Sequence, residues 1–195
     1  MIKSLTYSEY LSQKILKISN PVEQIFYTFT ISILGNILLI LSSKINFKIP
    51  FTMIPFTMQT FAVLFLSMLL GRKVLYVLSL YIFEGILGFP VFSQGGGIFY
   101  ILGPTGGYIL GFFVAGYVCG KLAEYGFDKS FIKTFFSMFL GNLIIYLFGI
   151  LWLVRFVNFD FLKALYIGVF PFIIGDIIKI IFASLVLPLG WKITR

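Results

Sequence analysis

Apolar runs of about 18–24 residues, separated by short polar breaks, recur along this 195-residue chain. A helix of that length crosses a bilayer. Inside a bilayer the backbone must satisfy its own hydrogen bonds, which leaves helices and closed barrels. Barrel strands alternate apolar and polar residues at every second position, and these runs do not. Composition agrees, with 59% hydrophobic and 11% charged residues, where a soluble domain carries roughly 25% charged residues. The expectation is an all-α integral membrane bundle.

Six spans are predicted, at residues 22–41, 56–70, 74–89, 106–121, 131–154 and 165–187. Residues 22–195 then form one six-helix transmembrane domain, and 1–21 a cytoplasmic N-terminal segment. The second span is short, which implies tilt or partial re-entry. The basic residues divide unevenly. One side holds Lys3, Lys14, Lys17, Arg72, Lys73, Lys121, Lys129, Lys133, Lys192 and Arg195, the other only Lys44, Lys48, Arg155 and Lys163. Cytoplasmic loops attract this excess, so both termini are expected in the cytoplasm. Residues 8–19 read either as an amphipathic surface helix, with Leu11, Ile15 and Ile18 on one face, or as a frayed tail. Residues 1–20 lack the apolar core and cleavage site of a signal peptide.

Several chemistries drop out. Without histidine there is no Ser-His-Asp triad and no His metal site. Cys119 stands alone, so neither an internal disulfide nor a thiolate metal site is available. The net charge of +8 is spread over the ends of apolar runs and forms no stripe for nucleic acid. No catalytic residue and no cofactor are expected.

The run from Pro171 to Leu189 carries two charges, Asp176 and Lys179. Each costs about 2.5–3.5 kcal/mol at the centre of an inserted helix. At i, i+3 they share a helix side. They either neutralise each other as a packing device or line a polar site. Gln59, Glu84, Asn142 and Tyr146 are further polar residues in apolar surroundings, and Asn142 and Tyr146 share a helix face at i, i+4. The stretch 85–108 between the third and fourth spans has no charge and alternates apolar residues with glycine and proline. It reads either as a lid folded over the bundle, with Gly95, Gly96 and Gly97 allowing close approach to a ligand, or as a membrane-hugging connector. Gly103, Gly107, Gly111, Ala115 and Cys119 make a small-residue ridge suited to close helix packing. Thr28, Ser32 and Asn36 form a stripe on the first span, either an internal seam or a docking face for another membrane protein.

Four blocks in order resemble the BioY family, the substrate-capture subunits (S components) of energy-coupling-factor biotin transporters. They are Ile-Pro-Phe-Thr-Met-Gln-Thr at 54–60; Gly-Phe-Pro-Val-Phe, the glycine run and Gly-Pro-Thr-Gly-Gly-Tyr within 88–108; Gly141-Asn142 with Tyr146, Gly149 and Trp152; and Pro-Phe-Ile-Ile-Gly-Asp-Ile-Ile-Lys at 171–179. The first is similar to the family's Val-Pro-Ile-Thr-Leu-Gln-Thr. The resemblance implies a six-helix S component in a bacterial cytoplasmic membrane that binds biotin near its outer face. Its implied partners are a transmembrane coupling (T) protein and two ABC-type ATPases. By the same resemblance Asp176 and Lys179 are the polar anchors, Gln59, Asn142 and Tyr146 further pocket residues, and Gly95, Gly96 and Gly97 part of the lid. Two departures stand out. Thr28, Ser32 and Asn36 replace the alanine-x-x-x-alanine docking pattern, and Ser43-Lys44 stands where the family often has alanine. Alternative readings are an S component for thiamine or riboflavin, and an intramembrane enzyme using Glu84 and Asp176 as a carboxylate pair.

Overall fold

The computed structural model describes residues 4–194; Lys3 and Arg195, counted in the charge balance, lie outside them. The chain forms α1 (Tyr7–Tyr10), a π-helical turn (Leu11–Ile15), α2 (Pro21–Lys44), a two-stranded antiparallel hairpin of β1 (Asn46–Phe47) and β2 (Phe56–Thr57), α3 (Gln59–Leu70), α4 (Val74–Ile86), α5 (Ile98–Leu102), α6 (Gly106–Ala123), α7 (Phe131–Leu153), α8 (Phe161–Gly168) and α9 (Ile173–Thr194).

Five helical stretches are long and apolar enough to cross a membrane, and one of them runs Gln59–Ile86. That stretch is a hairpin. Gly71 adopts φ +63°, open to glycine at little cost, and reverses the chain between α3 and α4. The proof is a bond: Gln59 Nε2 donates to the Tyr81 hydroxyl at 2.7 Å, 22 residues on. In one continuous helix those residues would stand about 33 Å apart. The chain therefore passes through the bundle six times, with α3 and α4 each only about 18–20 Å long.

Two ends result. The basal end gathers the described N- and C-terminal residues, the α3–α4 turn and the α6–α7 turn. There Arg72 pairs with Glu124 at 2.8 Å, Ser4 N–H donates to the Glu124 carbonyl, and the Trp191 indole donates to Asp128 at 2.8 Å. The mouth end gathers the β-hairpin, the α4–α6 connector and α8. Large apolar side chains such as Leu38, Leu41, Phe83, Leu147, Leu151, Ile178 and Phe182 face outward, while Ser67, Asn142, Asp176, Lys179 and Ser184 are buried. This is the reverse of a water-soluble protein and suits a lipid surround.

Helix starts follow local chemistry. Asn20 caps α2 by accepting from Val22 N–H at 3.0 Å, with Pro21 in the first turn. The glycine ridge on α6 packs against α7. A Cβ at Gly107 would stand 2.2 Å from Trp152 Cβ, and one at Gly141 of α7 would stand 2.4 Å from Cys119 Sγ, so the two helices meet at backbone distance.

Two expectations need correction. The sixth span starts at Ile173, not near 165, because the chain breaks between α8 and α9 around Pro171. Proline cannot donate to a helix and disfavours helix in the residue before it. α9 then continues to Thr194. The N-terminal segment does pack on the bundle, but it is not one helix over 8–19: it is a short helix and a π turn that ends at Ile15, with Leu11 and Ile18 half-buried. Ile15 is exposed while Ser8 and Ser12 are buried. The π turn shifts the register, and small serines allow the close approach.

Candidate functional site at the mouth end

Asp176 and Lys179 lie in the first turns of α9, facing inward with 3% and 8% of their surface exposed. The N-terminus of α3, strand β2 and the middle of α7 converge on them. Lys179 Nζ donates to Asp176 Oδ1 at 2.8 Å, to the Thr57 carbonyl at 2.6 Å and to Thr60 Oγ1 at 3.2 Å. The three N–H bonds of the ammonium are thus all matched. It also lies 3.9 Å from the centre of the Phe56 ring, a cation–π contact. Asp176 Oδ1 accepts in addition from Thr60 Oγ1 at 3.1 Å, and Oδ2 accepts from the Tyr146 hydroxyl at 2.6 Å. A buried ion pair is tolerable only when its remaining hydrogen-bonding capacity is satisfied, and this one is.

The pair forms the floor of a cavity at the mouth end. Phe56, Tyr108, Phe112 and Phe172 supply aromatic wall, while Gln59, Ser93, Tyr100 and Thr105 add polar groups. Tyr108 enters through a slot between two glycines. Its hydroxyl donates to the Gly168 carbonyl at 2.8 Å, and a Cβ at Gly149 would stand 2.4 Å from its ring. An aromatic cavity with one polar corner suits a small, partly apolar ligand oriented by a few hydrogen bonds. The corner can accept through Asp176 and through the lone pairs of the Tyr146 hydroxyl, whereas Lys179 and Tyr146 donate to a ligand only by releasing a bond they now make. Among the described residues no cluster could hold a metal ion.

The residues singled out in the sequence fall into three groups. Asp176, Lys179, Gln59 and Tyr146 line the cavity. Asn142 lies beneath it on α7, in a smaller void shared with Thr60, Asp176 and Lys179, its Oδ1 buried without a hydrogen-bond partner. Gly95, Gly96 and Gly97 do not line the cavity. They bend the connector that brings Ser93 and Tyr100 to it: Gly95 and Gly97 have φ +142° and +94°, and a Cβ at Gly96 would stand 2.0 Å from the Phe89 carbonyl oxygen. On α2, Thr28 and Ser32 line an open groove against Lys73, Tyr76 and Leu80 of the α3–α4 hairpin. Asn36 instead turns inward and donates to Glu84 at 2.8 Å. Glu84, bonded there, does not line the cavity, so the carboxylate pair of the enzyme reading is not assembled. Thr60, Phe56 and the Thr57 carbonyl were not foreseen, although they flank Gln59 in the 54–60 block; Tyr108, which closes the Gly-Pro-Thr-Gly-Gly-Tyr block, was also missed.

Fold and cavity together define a multi-pass membrane protein of the small-molecule-binding type. The chain belongs to the BioY family, whose pattern matches residues 14–195. It is 43% identical over 129 residues to a probable biotin transporter BioY of Pyrococcus horikoshii, covering 65% of this chain and 74% of that protein. It is 35% identical over 164 residues to biotin transporter BioY2 of Lactococcus lactis, covering 82% and 87%. It is 37% identical over 141 residues to biotin transporter BioY of Thermotoga maritima, covering 71% and 82%. Its fold matches a crystal structure described as the S-component for biotin from an ECF-type ABC transporter, with TM-score 0.80, 22% identity, and 90% and 95% of the two chains covered.

Proposed function

We propose that this protein is the biotin-capturing S component of an energy-coupling-factor transporter, taking up biotin at the mouth end and releasing it inward with an ATP-driven partner. The observation that carries the reading is the hydrogen-bonded Asp176–Lys179–Tyr146 corner in an aromatic cavity, in a chain of the BioY family. Biotin's ureido ring offers two N–H donors and a carbonyl acceptor, and its tail ends in a carboxylate. A carboxylate, an ammonium and a phenol match those groups. An analogue lacking one of them leaves a buried partner unpaired, which is the basis of selectivity.

The basal end, with most of the basic residues, faces the cytoplasm. The coupling T protein docks on the groove of Thr28 and Ser32, and Asn36 leaves that set because its amide holds Glu84. ATP hydrolysis belongs to two ABC-type ATPases in separate chains, and this subunit does no chemistry of its own. The test is isothermal titration of biotin into the detergent-purified protein, with desthiobiotin and thiamine as comparators. Tight one-to-one binding selective for biotin supports the reading. A folded sample that takes up no biotin at micromolar concentration, or prefers thiamine, overturns it.

A further inference from the structure

The connector between α4 and α6 passes over the cavity and contributes Ser93, Tyr100 and Thr105 to its wall. Four consecutive backbone carbonyls of this connector, those of Pro90, Val91, Phe92 and Ser93, accept hydrogen bonds from side chains outside it. Lys44 Nζ donates to the Phe92 carbonyl at 2.6 Å and also to that of Pro90. Ser43 Oγ donates to the Val91 carbonyl at 2.7 Å, joined there by the Tyr81 hydroxyl at 3.1 Å. Asn46 Nδ2 donates to the Ser93 carbonyl at 3.2 Å. Three of the four donor residues thus sit within four positions at the mouth end of α2.

Below this row the connector is pinned by one ring. Phe92 is fully buried, edge-on to Tyr81 at 5.2 Å and stacked on Tyr100 at 4.9 Å. It lies over Gly85, where a Cβ would stand 2.0 Å from it. Neither Ser43, Lys44 nor Asn46 lines the cavity. Their bonds are made to the connector's backbone and depend on where it lies, not on what the cavity holds.

We propose that Ser43, Lys44 and Asn46 are a latch: they position the connector closed over the cavity, and passage of ligand in or out requires these bonds to break. The inference rests on the reading of the cavity as a biotin site for its kinetic consequence, but not for its structural one. A latch that is the same in the empty and loaded states sets a barrier and leaves the equilibrium alone. Loosening it speeds entry and exit by the same factor. An anchor that touches the ligand instead acts mainly on the exit rate.

The test uses the full chain in detergent, with Lys44→Met as the main variant, Asn46→Ala as a milder one and Lys44→Arg as the rescue. In ligand-free protein, amide hydrogen exchange of residues 88–97 is expected to quicken about tenfold in Lys44→Met, less in Asn46→Ala, and to return toward the parent rate in Lys44→Arg, a pattern of local rather than global opening. With biotin, association and dissociation rates are expected to rise together by about tenfold in Lys44→Met while Kd stays within about threefold. Unchanged exchange across 88–97 overturns the latch, as does a faster exit rate with an unchanged entry rate. If the parent protein binds no biotin, the proposed function fails, and the exchange experiment alone decides the latch.

Discussion

The Tyr146 hydroxyl donates to Asp176 Oδ2 at 2.6 Å, joining α7 to α9 across 30 residues of chain. This bond and the Lys179 bond to Oδ1 hold the carboxylate from both sides. The carboxylate is thereby fixed in orientation before any ligand arrives. Tyr146→Phe removes one of the three side-chain hydrogen bonds on the carboxylate, the only one of them to Oδ2, without changing the ring's volume. Biotin affinity is expected to fall about three- to tenfold, the range of a hydrogen bond worth about 0.5–1.5 kcal/mol. Titration calorimetry checks it, and unchanged affinity would remove Tyr146 from the site.

The ion pair predicts an order of stabilities. Lys179→Met strands a buried carboxylate, which costs about 3–5 kcal/mol. Asp176→Asn combined with Lys179→Met leaves no charge behind and should unfold at a higher temperature than Lys179→Met alone. Both single variants are expected to bind biotin at least about tenfold more weakly, a loss of about 1.4 kcal/mol. Near-normal affinity in both would return the pair to a packing role.

Gly149 makes room for Tyr108. A Cβ there would stand 2.4 Å from the ring, so Gly149→Ala should push Tyr108 into the cavity and weaken biotin binding about tenfold. The cause can be isolated by a double-mutant cycle. In a Tyr108→Leu background the same Gly149→Ala change should cost little more. A full additional loss there would mean that Gly149 acts by some route other than Tyr108.

Asp128 lies at the basal end, buried in the turn between α6 and α7. Burial pushes its carboxyl from 3.8 up to about 6, against the opposing pull of the Trp191 indole N–H and Lys129. The folded state therefore keeps its proton to higher pH than the unfolded chain does. The stability tied to this group is complete below about pH 4 and is lost as pH rises through about 6, a change of order 3 kcal/mol. Thermal unfolding in detergent should show melting temperature falling between pH 4.5 and 7, and Asp128→Asn should flatten that fall. Parallel pH profiles for the two proteins would contradict it.

What could be read from the sequence was what local pattern controls. Span length and charge asymmetry need only the bilayer as a reference, and the six passes follow from them. Asp176 and Lys179 were visible because two charges in an apolar run have few tolerable places. Thr60 was not visible, since a threonine in a helix is unremarkable until Lys179, 119 residues away, donates to it. Phe56 and Tyr108 were lost among 25 phenylalanines and 11 tyrosines, where only the third dimension separates cavity wall from lipid-facing surface. The inward turn of Asn36 depends on Glu84 lying opposite, which the stripe on α2 does not encode. The latch row was hidden for a related reason: its acceptors are backbone carbonyls, which every residue has.

The closed Asp176–Lys179 pair also has an electrical meaning. The site pairs one negative and one positive charge 2.8 Å apart, and so carries no net charge. A single unpaired charge carried across the membrane potential would gain or lose about 2.3 kcal/mol per 100 mV. The paired site presents almost nothing for that field to act on. Any change of the subunit's orientation in the bilayer therefore moves no net charge at this point, and the membrane potential gains no purchase through the pair.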